Sequence, residues 1–208
     1  MFKTWLIAIT ILACASLAAA QSDDYKKIDV FGGYSYKIIP HTVGDDDLVD
    51  DPEAYRGFNA SIAGNVSRYV GLKFDVSGHF NDRTIPFGPI GAGIDLNSRF
   101  YNFLGGVQIK NNSSEATFKP FAHALVGAAH IRNSVNIRND VCVAIAPTPC
   151  PPGFTEKDTG FAAAVGGGID IKVSNRIDVR LVQLHYNPTR VFDTTQHTWR
   201  FSIGLVFH

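Results

Sequence analysis

Long apolar runs are missing from this chain once its first twenty residues are set aside. A membrane-spanning helix needs about 20 apolar residues in a row. If the chain crosses a membrane, it must cross as a closed barrel, the one β structure that satisfies its backbone groups in lipid. Charge of one sign is not in excess either. The chain has 19 Lys and Arg against 19 Asp and Glu, and Lys3 is the single charged residue of the opening segment, which leaves 18 against 19. This balance gives no support for a nucleic-acid partner or a polybasic membrane tail. Methionine occurs once, beside 19 Gly and 15 Phe, a composition that points to strands rather than helices. Cysteine is scarce: Cys14, Cys142 and Cys150.

The opening segment accounts for its own hydrophobicity. Lys3 is a positive n-region, residues 5–12 form a short apolar h-region, and Ala18-Ala19-Ala20 before Gln21 is a small-residue cleavage site. Residues 1–20 therefore read as a signal peptide and 21–208 as one domain. A second reading stays open, because Ile11-Leu12-Ala13-Cys14 resembles a lipoprotein signal that would leave Cys14 lipidated. Cys142 and Cys150 share a loop with Pro147, Pro149, Pro151 and Pro152. An exported chain meets an oxidising compartment, so a disulfide is the expectation and two free thiols the alternative. With no His or further Cys beside them, a metal site is not expected.

What is present throughout is alternation with period two, the mark of a strand with two different faces. Val70, Leu72, Phe74, Val76 and Phe80 alternate with Gly71, Lys73, Asp75, Ser77 and His79. Trp199, Phe201, Ile203, Leu205 and Phe207 alternate with Thr198, Arg200, Ser202, Gly204 and Val206. Less strict versions begin near Ile28, Phe58, Tyr101 and Phe161, and residues 118–131 are apolar on both faces, so their faces stay unassigned. From Ile177 the pattern slips near Val182, which predicts a bulge. The total is eight segments. Their connections alternate long (38–54, 81–97, 132–158) or medium (187–196) with short (around Ser67, 111–115, and Ser174-Asn175). Bacterial outer-membrane barrels pair short periplasmic turns with longer outer loops in this way.

Alternation alone does not say which face is outside, and a soluble lipocalin-like ligand carrier would show the same period. Two features favour lipid. The polar face is mostly Gly, Ser, Asn and Ala, with a sparse charge set: Asp29, Lys73, Asp75, Asp170, Lys172, Asp178, Arg180 and Arg200. Eight strands leave just enough interior for side chains, and buried charges must pair, so these residues are expected to form a lumen network that holds the barrel shut. Aromatics also gather where strands meet the long loops: Tyr34, Tyr36, Tyr55, Phe58, Phe80, Tyr101, Phe161, Tyr186 and Trp199. An aromatic girdle predicts that placement.

The signal peptide, residues 29–36 (DVFGGYSY), the Gly166-Gly167-Gly168 strand and residues 201–207 (FSIGLVF) resemble the outer-membrane β-barrel domain family of small OmpA-like and OmpX-like proteins. The resemblance spans the chain after the leader and implies an all-β fold, an eight-stranded antiparallel up-and-down transmembrane barrel in the bacterial outer membrane. It also implies that the terminal aromatic, here Phe207 followed by His208, is a C-terminal signal for the barrel-assembly machinery. No peptidoglycan-binding domain is expected after the eighth strand.

Candidate chemistry is thin. The acidic run Asp45, Asp46, Asp47, Asp50, Asp51 and Glu53 lacks EF-hand spacing and reads as a solvated loop. His185-Tyr186-Asn187 resembles the site of outer-membrane lipid A deacylases, but Asn187 stands where their nucleophilic Ser would be, and an amide cannot serve. His79, His123, His130 and His197 show no metal-ligand spacing. The Gly166–Gly168 run lacks a phosphate loop's Lys-Ser/Thr ending. The expectation is a non-enzymatic, monomeric barrel without cofactor or nucleic-acid partner. It would be surrounded by outer-membrane lipids and contribute to envelope integrity or surface contacts, with a ligand taken through loop 132–158. A lipid-modifying enzyme and a narrow pore are the alternatives.

Overall fold

The computed structural model describes residues 25–39, 53–87, 92–137 and 153–208. The expected signal peptide, Cys14, the acidic run from Asp45 to Asp51, and the Cys142–Cys150 pair lie outside these residues. The described chain forms eight strands: β1 (Ile28–Ile39), β2 (Glu53–Asn65), β3 (Val70–Phe87), β4 (Ala92–Lys110), β5 (Phe118–Ile137), β6 (Phe154–Lys172), β7 (Ile177–Val191) and β8 (Thr194–Phe207). Each pairs antiparallel with the next, and β1 pairs with β8, so the sheet closes into a barrel. Closure removes both sheet edges, which lipid would otherwise leave unpaired.

The exterior is apolar. Leu72, Phe74, Ile109, Phe161, Val165 and Ile203 all stand exposed on the outer surface, Ile109 and Phe161 at 60%. The residues between them point inward and are buried. β5 shows why its faces could not be assigned. Val126 faces out, while Phe121, Leu125 and Ile131 face in, so apolar residues occupy both sides. At the seam, Gly33 lies directly opposite Gly204. A Cβ on Gly33 would sit 2.0 Å from the Ile203 carbonyl oxygen, so the neighbouring strand leaves no room for a side chain. The slip in β7 is a bulge, with Leu181 and Val182 both exposed and a register shift between Arg180 and Gln183.

Two inner turns are built alike. Ser67 Oγ accepts from the amides of Tyr69 and Val70 at 3.3 and 3.1 Å, and Ser174 Oγ accepts from Arg176 and Ile177 at 3.2 and 3.1 Å. These side-chain caps satisfy backbone donors where the ladder ends.

The outer connections differ from the sequence reading. β3 runs to Phe87 and β4 starts at Ala92, so most of the expected loop 81–97 is paired strand. β5 reaches Ile137 and β6 starts at Phe154, so both ends of 132–158 are strand. The expected loop 187–196 is a two-residue turn of Phe192 and Asp193, with φ of 49° and 55°. Both residues being left-handed marks the hairpin turn that matches strand twist. The physical reason for the discrepancy is simple. The lipid-facing alternation stops at the edge of the apolar band. Beyond it Asp82, Thr84, Asp95, Asn97 and Ser134 take the outward positions and Ile85, Ile94, Leu96 and Val135 the inward ones, so the pattern inverts while the backbone ladder continues.

Candidate functional site

Inward alternation gathers polar side chains from every strand into the lumen. At the inner end, His208, beyond β8, donates from Nδ1 to Asp29 Oδ1 at 2.8 Å, and its Nε2 lies 2.8 Å from Asp178 Oδ2. Burial works against the charged ring, but the bonds to Asp178 and Asp29 outweigh it and raise the His208 pKa above the ordinary histidine value. Lys119 Nζ pairs with Asp178 at 2.7 Å. Lys110 Nζ bridges Asp29 at 2.8 Å and Asp170 at 2.9 Å. Arg180 grips Asp170 with Nε at 2.7 Å and Nη2 at 3.0 Å, while its guanidinium lies between the rings of Phe31 and Phe121.

The chain of contacts continues outward. Arg180 Nη1 donates to Gln183 Oε1 (2.5 Å), Gln183 Nε2 to Asn59 Oδ1 (2.9 Å), and Asn59 Nδ2 to Asp75 Oδ2 (2.9 Å). Arg200 Nη2 meets Asp75 Oδ1 at 2.8 Å, and Arg200 Nη1 donates to Ser77 Oγ at 2.5 Å. Asn102 Nδ2 reaches Ser77 Oγ (3.4 Å) and Asn187 Oδ1 (3.2 Å). All eight strands contribute a member. Bidentate and charge-assisted bonds are the strong ones, and the network ties strands that share no ladder.

Of the eight charges singled out in the sequence, Asp29, Asp75, Asp170, Asp178, Arg180 and Arg200 lie in this network. Lys73 is buried with its ammonium 5.5 Å from the centre of the Phe121 ring. Lys172, directly opposite Asp178, is half-buried at the inner rim and donates to the Ser114 carbonyl at 2.8 Å. Sequence reasoning missed Lys110, Lys119, Asn59, Gln183 and His208. Lys110 was legible, since it continues the inward series of Asn102 and Gln108.

Beside and above the network the β4–β7 side of the lumen turns apolar, facing buried Lys37, His79 and Thr198. Phe100, Leu104, Leu125, Ile131 and Val191 pack together with Ala129, Ala162 and Ala164, and Phe192 covers them. Lys37 Nζ lies over the Phe100 ring, 2.9 Å from its centre. At the opposite mouth, the segment before β1 binds all three inner turns. Lys26 N donates to Asn112 O at 3.1 Å, Lys26 Nζ to Asn175 O at 2.8 Å, and the Tyr25 hydroxyl to Val66 O at 3.5 Å. The interior is thus filled from end to end by side chains.

Of the nine aromatics assigned to the girdle, eight have outward positions, with Tyr34 and Phe58 directly paired and Tyr186 packed on Trp199 at 5.2 Å. Tyr55 is a correction. It falls on the inward series with Gly57 and Asn59 and is buried. His185 and Asn187 also point into the lumen and are fully buried, with His185 against Arg200 and His123. They do not face lipid, where a deacylase would need its base. Phe207 is outward and exposed, paired with Val30 and Ile177. Among the described residues no group of three His, Cys, Asp or Glu could hold a metal ion.

Solved structures share the architecture. Ail, the attachment invasion locus protein of Yersinia pestis, superposes with a TM-score of 0.56 at 15% identity, over 86% of this chain and 97% of Ail. Neisserial surface protein A superposes with a TM-score of 0.54 at 13% identity, over 88% of this chain and 97% of that one. No curated protein sequence matches. The family model for the outer membrane protein beta-barrel domain matches residues 6–207. The chain is a member of that family, an eight-stranded antiparallel barrel of the bacterial outer membrane.

Proposed function

We propose that the protein is a sealed, non-enzymatic barrel whose work is done at its outer end, through surface contacts made by the raised β3–β6 sheet and the connection at 138–152. The observation that carries this reading is the asymmetry of the strands. A tilted strand needs about 9–11 residues to span a membrane. β3, β4, β5 and β6 have 18, 19, 20 and 19, against 12 in β1 and 13 in β2. The surplus lies beyond the aromatic belt and is polar on its outward face, with Thr84 Oγ1 bonded to Asp95 (2.7 Å) and Ser134 to Thr155 (3.1 Å), while Ile85 and Phe154 stand exposed on the inward one. A barrel that only stiffened the envelope would have no need of a wall standing clear of the bilayer. The filled lumen argues against the narrow pore. A Cys142–Cys150 disulfide would constrain the tip.

The test replaces residues 138–152 with an Asn-Gly hairpin turn. The shortened barrel should keep heat-modifiable gel mobility, and cells displaying it should lose attachment to a matrix-coated or epithelial surface. Equal attachment by cells displaying either form removes the contact role. Loss of the folded form would make the segment part of the fold rather than a contact surface.

A further inference from the structure

The strand register places three cations side by side on the outer surface. Arg99 of β4 lies directly opposite Arg132 of β5, which lies directly opposite Lys157 of β6. All three are outward and exposed. Directly opposed side chains have Cβ atoms about 5 Å apart, and like charges there are destabilising. Across the strands the row is repulsive, although Arg99 also lies over the Phe80 ring, 5.5 Å from its centre. Its nearest counter-charge is Asp82, 3.9 Å from Arg99, in a pair exposed at 46% and 61%. Arg132 and Lys157 have no ion pair among the described residues. Glu156 and Asp158 alternate to the other face of β6, and Asp158 is engaged by the Phe192 amide at 2.5 Å.

The row borders a cleft. An open cavity of about 490 Å³ is lined by Asn97, Arg99, Tyr101, Arg132 and Ser134. Asn97 and Ser134 are themselves opposite one another, one step farther out. One step inward, Tyr101 is opposite His130, and its ring is braced edge-on by Phe80 at 5.9 Å. The next positions toward the membrane are Phe103 and Phe161, exposed at 47% and 60% on the lipid-facing band. Guanidinium forks, amide and hydroxyl donors thus stand directly above an apolar wall.

We propose that this cleft binds the phosphate of an outer-leaflet lipid headgroup, with the acyl chains lying along Phe103 and Phe161. Guanidinium groups match phosphate bidentately, and a phosphate between Arg99 and Arg132 turns their repulsion into attraction. Continuity with the apolar band singles out a lipid over a soluble polyanion. A soluble ligand would leave Phe103 and Phe161 unused.

The test uses the refolded full barrel in detergent and native mass spectrometry with bisphosphorylated lipid A as probe. One lipid A should be retained per barrel, and R99Q/R132Q should bind about tenfold more weakly or worse, the loss expected for charge-assisted bonds. D82N, which removes the competing carboxylate, should bind more tightly. Phosphatidylcholine should not distinguish the variants. R99Q/R132Q should also be slightly more stable in phosphatidylcholine vesicles, which separates a binding role from a folding one. Equal retention of lipid A by wild type and R99Q/R132Q overturns the proposal. So does a wild-type barrel that holds inorganic phosphate as tightly as lipid A, since that marks a site for soluble anions.

Discussion

Substituting Asp170 by Asn probes the lumen network where it is most concentrated. Asp170 accepts two bonds from Arg180 and pairs with Lys110, and all three residues are at most 2% exposed. Asn preserves the volume but removes the carboxylate that two cations share. Lys110 retains Asp29, whereas Arg180 keeps only Gln183 and the faces of Phe31 and Phe121, at 4.3 and 4.2 Å. Removing one partner of a buried pair costs about 3–5 kcal/mol, because the remaining charge is left uncompensated. At about 1.4 kcal/mol per decade, that is two to three and a half decades in the folded-to-unfolded ratio. Replacing the pair by apolar groups of similar size should cost far less. In D170L/R180M the new Met would lie between the two Phe rings that now hold the guanidinium. The assay is urea unfolding from lipid vesicles, followed through Trp199, the only Trp beyond residue 20. D170N should unfold at much lower urea than wild type, with the double variant between them or close to wild type. A D170N loss below about 1 kcal/mol, or a double variant worse than D170N, would refute the claim that charge pairing rather than packing sets the cost.

Further outcomes follow from the same geometry. Because its pKa is raised, the charged ring of His208 adds stability that is fully present below the unfolded value of 6.5 and lost as pH rises through the folded one. Unfolding midpoints of wild type and H208Q, held between the same Asp29 and Asp178 beside Lys110 and Lys119, should therefore converge above that folded value. G33A should impair closure of the β1–β8 seam, costing about 1–3 kcal/mol as an overpacked site does, visible as a smaller heat-modifiable fraction. Wild-type barrel in a planar bilayer should show no steady ion conductance. Stable unitary steps would contradict a lumen filled from Lys26 to Phe192.

Most of the fold was legible because a bilayer and a narrow lumen are such different media. Each strand that separates them carries its assignment in every second residue, as Lys73 and Asp75 do between Leu72, Phe74 and Val76. The reading failed where that contrast weakens. β5 lines an apolar part of the lumen, so Leu125 and Val126 look alike although one faces in and the other out. Tyr55 was grouped with the girdle for being aromatic near a strand end, but parity with Asn59 turns it inward. The ends of β3–β6 were taken for loops because the alternation inverts there, with Thr84, Asp95 and Ser134 outward and Ile85, Leu96 and Val135 inward. Ion-pair partners were beyond reach, since Arg200 with Asp75 and Lys110 with Asp29 join strands separated by many residues. Parity places a side chain in the lumen, and only the closed register says what stands across from it.

The division of the lumen bears on what the barrel can do. Ion pairs fill the inner part, and toward the outer end an apolar cluster on β4–β7 stands beside buried Lys37, His79 and Thr198, so among the described residues neither end offers a continuous wet path. Conduction would require breaking buried charge pairs at the cost worked out above for Asp170, repeated at Asp75 and Asp178. The apolar cluster under Phe192 carries no such penalty for rearrangement, but it leads only to the charged layer beneath it. Any ligand must therefore be met from outside the wall. The exterior offers two distinct surfaces for this. One is the outward, polar face of the sheet that runs beyond the belt. The other is the basic row of Arg99, Arg132 and Lys157 at its foot. A lipid clamped at the foot would fix the height and tilt of the wall above it. Positioning of the raised sheet then becomes a property of the membrane as well as of the fold.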